Sequence, residues 1–266
     1  MVSPYSRICS LLGGDGLPEK WELIRDVLIL DTEDERVAET YARVLRARSV
    51  IRQVSIDGEL RRVKSALLWG DPKTETVYKE NRILYKIDPA RIMLSSGNKE
   101  ERIRMSEVSN PDEICLDMFA GIGYFALPLA LRSKMVYAIE KDPLAFKYLL
   151  ENVKLNGFKN VTPLLGDCRD VKLPCKVDRV VMGYLHSYPF LDRALNSIDD
   201  EGVIHYHGLY RTGDMETPIR ELEGKANQQG FEVKPLLLRE VKSYGPKTSH
   251  MVVDGMLRRR LRGAKT

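Results

Sequence analysis

The most constraining stretch of this sequence runs from residue 113 to residue 132. An apolar run over 113–118 carries an acid, Asp117, near its end and passes at once into Ala120-Gly121-Ile122-Gly123. A helical pattern over 124–132 follows. A strand, a glycine turn and a helix in so few residues imply that the helix folds back over one face of a sheet. The same alternation continues downstream. Residues 135–140 read as a strand, 143–156 as a helix stopped by Gly157 at its C-cap, and 161–167 and 178–184 as strands. Residues 187–198 read as a helix, 202–207 as a strand and 217–229 as a helix. This pattern predicts an α/β domain with a parallel, Rossmann-type sheet covered by helices. The last two strands, 231–244 and 249–257, face each other across Gly245-Pro246 and are expected to pair antiparallel.

Residues 1–90 have a different texture. Residues 18–28 and 33–46 are expected to be helical, the second with Val37, Tyr41, Val44 and Leu45 on one side. Two hairpins follow, one turning at Asp57-Gly58 and one at Glu80-Asn81-Arg82. The chain therefore divides into a small α+β domain over 1–90 and a larger α/β domain over 91–266. Lys and Arg outnumber Asp and Glu by 42 to 38, a net charge of +4, which an anionic partner would suit but does not require. The cations are unevenly placed. Arg43, Arg46, Arg48, Arg52, Arg61, Arg62 and Lys64 crowd one N-terminal stretch, and Arg258, Arg259, Arg260, Arg262 and Lys265 crowd the C-terminus. Taken alone, these are solvated basic surfaces.

Several classes are set aside. No apolar run approaches the ~18 residues of a membrane span, and residues 1–10 lack the basic and apolar regions of a signal peptide. A cytoplasmic protein with no membrane segment is expected. Cys9, Cys115, Cys168 and Cys175 form no C-x-x-C pair, and the four histidines do not gather near them. Neither a metal site nor a disulfide framework is expected.

Three acids fall at the carboxyl ends of the first three strands of the larger domain: Asp117, Glu140 and Asp167. Ligands of open α/β sheets bind at that edge. Gly121 and Gly123 allow close backbone approach, although a G-x-G alone is weak, and the absence of G-K-[ST] excludes a P-loop. Glu140, 17 positions beyond Gly123, is placed to accept the ribose hydroxyls of a nucleoside cofactor, as it would be in an NAD enzyme. Asp167 tips the choice toward S-adenosylmethionine (SAM), because an acid there can accept from the adenine amine. Each acid alone reads equally well as a solvated strand end or a helix cap. The three together with the glycine loop do not.

The stretch Asp117-Met118-Phe119-Ala120-Gly121-Ile122-Gly123-Tyr124-Phe125 resembles the D-x-F-A-G-I-G-x-F segment of two related families of tRNA-modifying enzymes. One methylates N1 of the guanosine 3′ to the anticodon. The other is the wybutosine-synthesising aminocarboxypropyltransferase of archaeal type. Tyr78-Lys79-Glu80-Asn81 and Tyr85-Lys86-Ile87-Asp88-Pro89 are similar to the segment that both place before the catalytic domain. Ser95-Ser96-Gly97-Asn98 and Glu101-Arg102-Ile103-Arg104-Met105 are closer to the second family. After the fourth strand the methyltransferases carry an N-L-P-type motif, whereas Gly183-Tyr184-Leu185-His186-Ser187 resembles the G-Y-x-H-S version of the aminocarboxypropyltransferase. The additional N-terminal domain of many archaeal methyltransferases of this group has no counterpart in the sequence. The resemblance covers roughly residues 40–255.

The resemblance implies a class I SAM-dependent methyltransferase-like domain over 91–266. It also implies that the domain over 1–90 touches tRNA. The implied cofactor contacts are Ser95, Arg102, Asp117, Phe119, Gly121, Gly123, Glu140, Asp167 and Cys168, with Ser95 and Arg102 toward the methionine end, where a guanidinium suits a carboxylate. Cys168 departs from the polar residue expected after Asp167, so its backbone N–H is the stronger candidate. The implied reaction transfers the 3-amino-3-carboxypropyl group of SAM to C7 of a wyosine-type base in the anticodon loop of tRNA-Phe. His186 is a catalytic candidate that reads as readily as a structural histidine. The alternatives are N1-methylation of guanosine and a non-catalytic RNA-binding protein on the same fold.

Overall fold

The computed structural model describes residues 2–14, 16–94 and 96–260. Ser95 lies outside the described residues, as do Arg262 and Lys265 of the basic C-terminus. The chain divides into two compact units, residues 1–96 and 97–266.

The first unit opens with α1 (Pro4–Leu12), whose first turn is capped by Ser3. Strands β1 (Trp21–Ile24) and β2 (Val27–Leu30) form a hairpin. This corrects the helix expected over 18–28. An apolar run this short fits a helical or an extended period. Arg25 supplies the positive-φ corner at 59°, and pairing of β2 with a later strand fixes the extended form. Helix α2 (Glu35–Leu45) starts at Asp34, whose Oδ1 accepts from the N–H groups of Arg36 and Val37 at 2.8 and 3.2 Å. It crosses over to β3 (Ser49–Asp57), which lies parallel to β2, and β4 (Arg62–Gly70) pairs antiparallel with β3. Ile8, Leu28, Leu30, Tyr41 and Val50 meet in the core between helices and sheet. Strands β5 (Thr76–Glu80) and β6 (Ile83–Ile87) form a separate hairpin. Its two-residue turn takes positive φ at both Asn81 and Arg82, 44° and 69°, the twist that suits tight hairpins.

The second unit begins within a 3₁₀ turn (Ser96–Asn98) that leads into α3 (Lys99–Met105). The elements that follow are β7 (Ile114–Asp117), α4 (Ala126–Ala130), β8 (Met135–Glu140), α5 (Pro143–Leu155), β9 (Val161–Leu165) and β10 (Val177–Met182). A 3₁₀ turn (Tyr188–Phe190) leads into α6 (Leu191–Leu195), then β11 (Ile198–Arg211), α7 (Thr217–Gln228), β12 (Phe231–Gly245) and β13 (Thr248–Arg259). The sheet order is β12-β13-β11-β10-β7-β8-β9. Strand β13 alone runs against the others. The expected α/β architecture and terminal hairpin are both present. The helices expected over 124–132 and 187–198 are each only five residues long as α4 and α6. The glycine loop takes up the start of the first, and a 3₁₀ turn takes up the start of the second. Leu116, Ile139, Val180, Ile204, Val253 and Phe231 lie in the core on the sheet. No helix among the described residues is long and apolar enough to cross a membrane.

The N-terminal basic stretch is partly committed to the fold. Arg48 donates to Asp26 Oδ2 at 3.0 Å and to Asp71 Oδ2 at 2.7 Å, and it also reaches the Lys73 carbonyl. Arg52 pairs with Glu33 and Lys64 with Asp57. Arg48 thus ties the β1–β2 turn to the segment after β4. We expect Arg48→Ala to destabilise the first unit by about 1–3 kcal/mol, the cost of charge-assisted hydrogen bonds left unmade. The two tryptophans of the chain, Trp21 and Trp69, both lie in this unit, so a urea melt followed by tryptophan fluorescence reads it selectively. An unchanged midpoint would return Arg48 to the surface charges.

Candidate functional site

The strand order reverses between β7 and β10, because β8 and β9 extend the sheet to one side and β10 and β11 to the other. A crevice forms at such a switch point beyond the carboxyl ends of the strands. Asp117 closes β7 there and is fully buried. Its Oδ1 accepts from the Phe119 N–H at 3.2 Å. Its Oδ2 is buried and has no hydrogen-bond partner among the described residues. Burial, and then the nearby Glu140 carboxylate, push Asp117 up to about 7.

Glu140 ends β8 and holds the glycine loop in place. Its Oε2 accepts from the Gly121 N–H and its Oε1 from the Asp142 N–H, both at 2.6 Å. Burial raises its pKa against these two bonds. Asp142 in turn caps α5 through the Leu144 N–H at 3.1 Å. Buried Asn152 on α5 donates to the Ile122 carbonyl at 3.0 Å, so α5 also grips the loop. Gly123 sits at φ 103°, and a Cβ there would meet Leu127 Cγ at 2.7 Å. The loop therefore combines a required left-handed backbone with tight packing onto α4.

Asp167, two residues beyond β9, accepts from Arg169 Nη2 at 2.6 Å and pairs with Lys141 Nζ at 3.0 Å. The Arg169 hydrogen bond holds its carboxyl well below the usual carboxylate range. The Cys168 side chain is core, and burial pushes its thiol up to about 12. After β10 the chain passes through Gly183, whose missing Cβ leaves room for the Phe125 ring, 2.5 Å from where that atom would sit. Tyr184 contacts the ring of Phe119 at 5.3 Å, and Phe190 meets Phe119 edge-on at 5.1 Å. His186 is exposed and lies against Tyr184 at 5.6 Å, while Ser187 pins this loop by donating to the His207 carbonyl at 2.6 Å.

Arg102 lies on α3, 3% exposed, with its guanidinium 5.6 Å from the centre of the Tyr124 ring. Asp117, Phe119, Gly121, Gly123 and Glu140 share one strand-end cluster, and Arg102 reaches it through Tyr124, the residue after Gly123.

Sequence reasoning missed a buried polar network behind α3. Arg104 binds both Glu101 and Asp254. Asp254 also takes His205 Nδ1 at 2.6 Å, His205 Nε2 meets Arg179 at 2.7 Å, and Arg179 pairs with Glu113 at 2.8 Å. His207 and His250 share a hydrogen bond at 2.9 Å. Burial, and then each one's ionisable neighbours, bring both down to about 3, so both rings are neutral at physiological pH. The visible hint in the sequence was histidine inside apolar strand runs, as in Ile204-His205-Tyr206-His207.

The sheet order and the acids at the strand ends define a class I SAM-dependent methyltransferase-type domain. Residues 76–234 match the model of the TRM5/TYW2 methyltransferase domain, and residues 13–74 that of the TYW2 N-terminal domain. The chain belongs to the TRM5/TYW2 family. It is 44% identical to the tRNA(Phe) (4-demethylwyosine(37)-C(7)) aminocarboxypropyltransferase of Methanocaldococcus jannaschii, across 90% of this chain and 98% of that protein. The protein of the same description from Pyrococcus horikoshii is 40% identical, across 90% and 89%. The tRNA (guanine(37)-N(1))-methyltransferase Trm5b of Pyrococcus abyssi is 34% identical, across 90% and 74%. Among solved structures, M. jannaschii TYW2 in complex with AdoMet superposes with a TM-score of 0.76 at 41% identity, covering 91% of this chain and all of that one. P. horikoshii TYW2 in complex with MeSAdo gives 0.82 at 37% identity, covering 96% and 99%.

Two outcomes test the strand-end acids. Glu140→Ala removes the acceptor that shapes the loop, and we expect SAM affinity to fall by at least ~10-fold, one to two charge-assisted hydrogen bonds, with tRNA affinity nearly unchanged. Calorimetry with an unaltered SAM affinity would remove Glu140 from the site. The second outcome concerns Asp117, which binds its proton more tightly folded than unfolded. Its contribution to stability is full below about pH 4 and is lost as pH rises toward about 7. Asp117→Asn should therefore gain stability relative to the parent over that window. Parallel stability curves for the two proteins would mean that Asp117 titrates normally.

Proposed function

We propose that this protein transfers the 3-amino-3-carboxypropyl group of SAM to C7 of 4-demethylwyosine in the anticodon loop of tRNA-Phe, releasing methylthioadenosine. One observation carries the choice within the family. The loop after β10 reads Gly183-Tyr184-Leu185-His186-Ser187, where the guanosine methyltransferases carry an N-L-P-type motif. The two relatives described as aminocarboxypropyltransferases, 44% and 40% identical, support the same reading. N1-methylation of guanosine is the second reading, and the Trm5b relatives that favour it are less similar, at 34% and 30% identity. Acting on tRNA, the protein belongs in the cytoplasm with its substrate.

The site suits a nucleoside cofactor. Among the described residues the buried Asp117 Oδ2 has no hydrogen-bond partner, which leaves it to a ligand, and the glycine loop lets a ligand approach the backbone closely. When bound, SAM supplies a carbon made electrophilic by its sulfonium. In our reading Glu140 takes the ribose hydroxyls and Asp167 the adenine amine. Asp117, Phe119, Gly121, Gly123 and the backbone of Cys168 form the remaining wall. Arg102, with Ser95, takes the methionine carboxylate and so decides which carbon faces the base. His186, exposed at the loop beside Tyr184, positions the base or accepts its proton. Arg46, Arg61 and Arg62 of the first unit are candidates for phosphate contacts.

The deciding experiment incubates the protein with SAM and tRNA-Phe carrying 4-demethylwyosine and identifies the nucleoside released. Methylthioadenosine is expected, and adenosylhomocysteine in its place would transfer the assignment to methyl transfer. Arg102→Ala should slow single-turnover methylthioadenosine release far more than it weakens SAM binding. Orientation is worth up to ~7–11 kcal/mol, whereas the adenosine contacts survive the substitution. Arg102→Lys should recover part of the rate, because an ammonium lacks the bidentate fork. Equal losses in rate and affinity would make Arg102 a binding residue only.

A further inference from the structure

Helix α3 has seven residues, too few to hold itself together. Its anchors are charged. The Glu101 side chain is fully buried and lies in an i, i+3 pair with Arg104, whose Nε donates to Glu101 Oε2 at 3.0 Å. Arg104 continues to Asp254 on β13. Arg239 Nη2, from β12, stands 3.4 Å from Glu101 Oε2, and His207 Nε2, from β11, stands 3.7 Å from Oε1. One carboxylate thus faces groups from α3 itself and from two different strands. Arg102 follows directly in sequence, about 100° further round the helix, and faces Tyr124 at the end of the glycine loop.

The same cluster also touches the loops of the site. The His207 ring stacks on Phe125 at 5.5 Å and 28°. Phe125 in turn occupies the space that Gly183 leaves open after β10. A shift of Glu101 would therefore move α3 against the glycine loop. It would also release a contact under the loop that follows β10.

We propose that Glu101 is a positioning residue: its buried carboxylate, set between Arg104, Arg239 and His207, fixes the orientation of α3 and thereby the aim of Arg102 at the methionine arm of SAM. The inference rests on the reading of Arg102 given above. It predicts that Glu101 controls how firmly the aminocarboxypropyl group is held without affecting how the adenosine is held. A carboxylate that served only the core would weaken both alike.

The test compares the affinities of adenosylhomocysteine and methylthioadenosine by calorimetry. Both are thioethers with an uncharged sulfur, and they differ in carrying the zwitterionic aminocarboxypropyl arm or a methyl group on that sulfur. The ratio of the two affinities therefore reads the grip on the arm without any turnover. Arg102→Ala sets the full loss of that ratio. Glu101→Gln, which keeps the volume and removes the charge, should lower the ratio by roughly tenfold, the scale of one charge-assisted hydrogen bond. Methylthioadenosine affinity should stay within about twofold, inside the few-tenths scatter of independent sites. Glu101→Asp should recover part of the ratio. In turnover, Glu101→Gln should lower the rate of methylthioadenosine release at saturating SAM.

A ratio that collapses in Arg102→Ala and stays at the wild-type value in Glu101→Gln overturns this inference. So does an equal loss of both affinities in Glu101→Gln. A ratio unchanged in Arg102→Ala is instead the failure of the Arg102 reading on which it rests, and the inference falls with it. If Glu101→Gln does not fold, Arg239→Gln removes the cation on β12 and is judged by the same ratio.

Discussion

The site depends on what one carboxylate does to the backbone. Glu140 accepts from Gly121 on one side and Asp142 on the other, both at 2.6 Å. The first bond holds the glycine loop against the end of β8. The second starts the turn into α5, whose Asn152 then returns to the loop at Ile122. Loop, strand end and helix are thereby closed into one hydrogen-bonded circuit. Buried carboxylates satisfied by backbone N–H groups are costly to remove and tightly oriented. The acid proposed to bind the ribose is also the acid that holds the glycine loop. Geometry and affinity at this position cannot be varied separately.

The second organising feature is the buried polar chain from Glu113 through Arg179, His205, Asp254 and Arg104 to Glu101. Burying so many ionisable groups offers little net stability over an apolar replacement. What it provides is register. Each group has a fixed donor or acceptor, and a one-residue slip of β13 against β11 would break the Asp254 contacts to both His205 and Arg104. Burial also drives His207 and His250 neutral, so the second pair adds directional hydrogen bonding without charge. The network behaves as an alignment device between the short helix α3 and three long strands.

The architecture was largely legible because its signal is local. Alternating strands and helices from 113 onward, the acids at the strand ends and the glycines of the loop all declare themselves within a few residues. Where the sequence misled, the deciding force was not local. Residues 21–30 are extended because β2 pairs with β3 across the intervening helix α2, a contact that no window of ten residues contains. The helices over 124–132 and 187–198 are shortened by the turns that feed them. Glu101 stood out in the sequence only as part of the Glu101–Met105 segment, because burial of a charged residue depends on Arg239, His207 and Arg104 converging on it. Arg48 and Arg52 read as part of a basic face, and their acidic partners come from separate loops.

The reversed strand β13 has a consequence for how this molecule comes into being. It is the last strand of the sheet in sequence, yet it lies between β11 and β12. Among the described residues strand β12 pairs with β13 alone, so it has no berth until the segment after it has arrived. The Arg104–Asp254 pair likewise joins residues 150 positions apart. Much of the catalytic unit's wiring is therefore non-local, a topology associated with slow acquisition of structure. Before β13 docks, β11 presents an open edge next to a half-formed core, the arrangement most prone to pairing with another chain. The β11 histidines find their partners on that last strand, His205 at Asp254 and His207 at His250, so part of the buried polar interior is completed only when β13 docks.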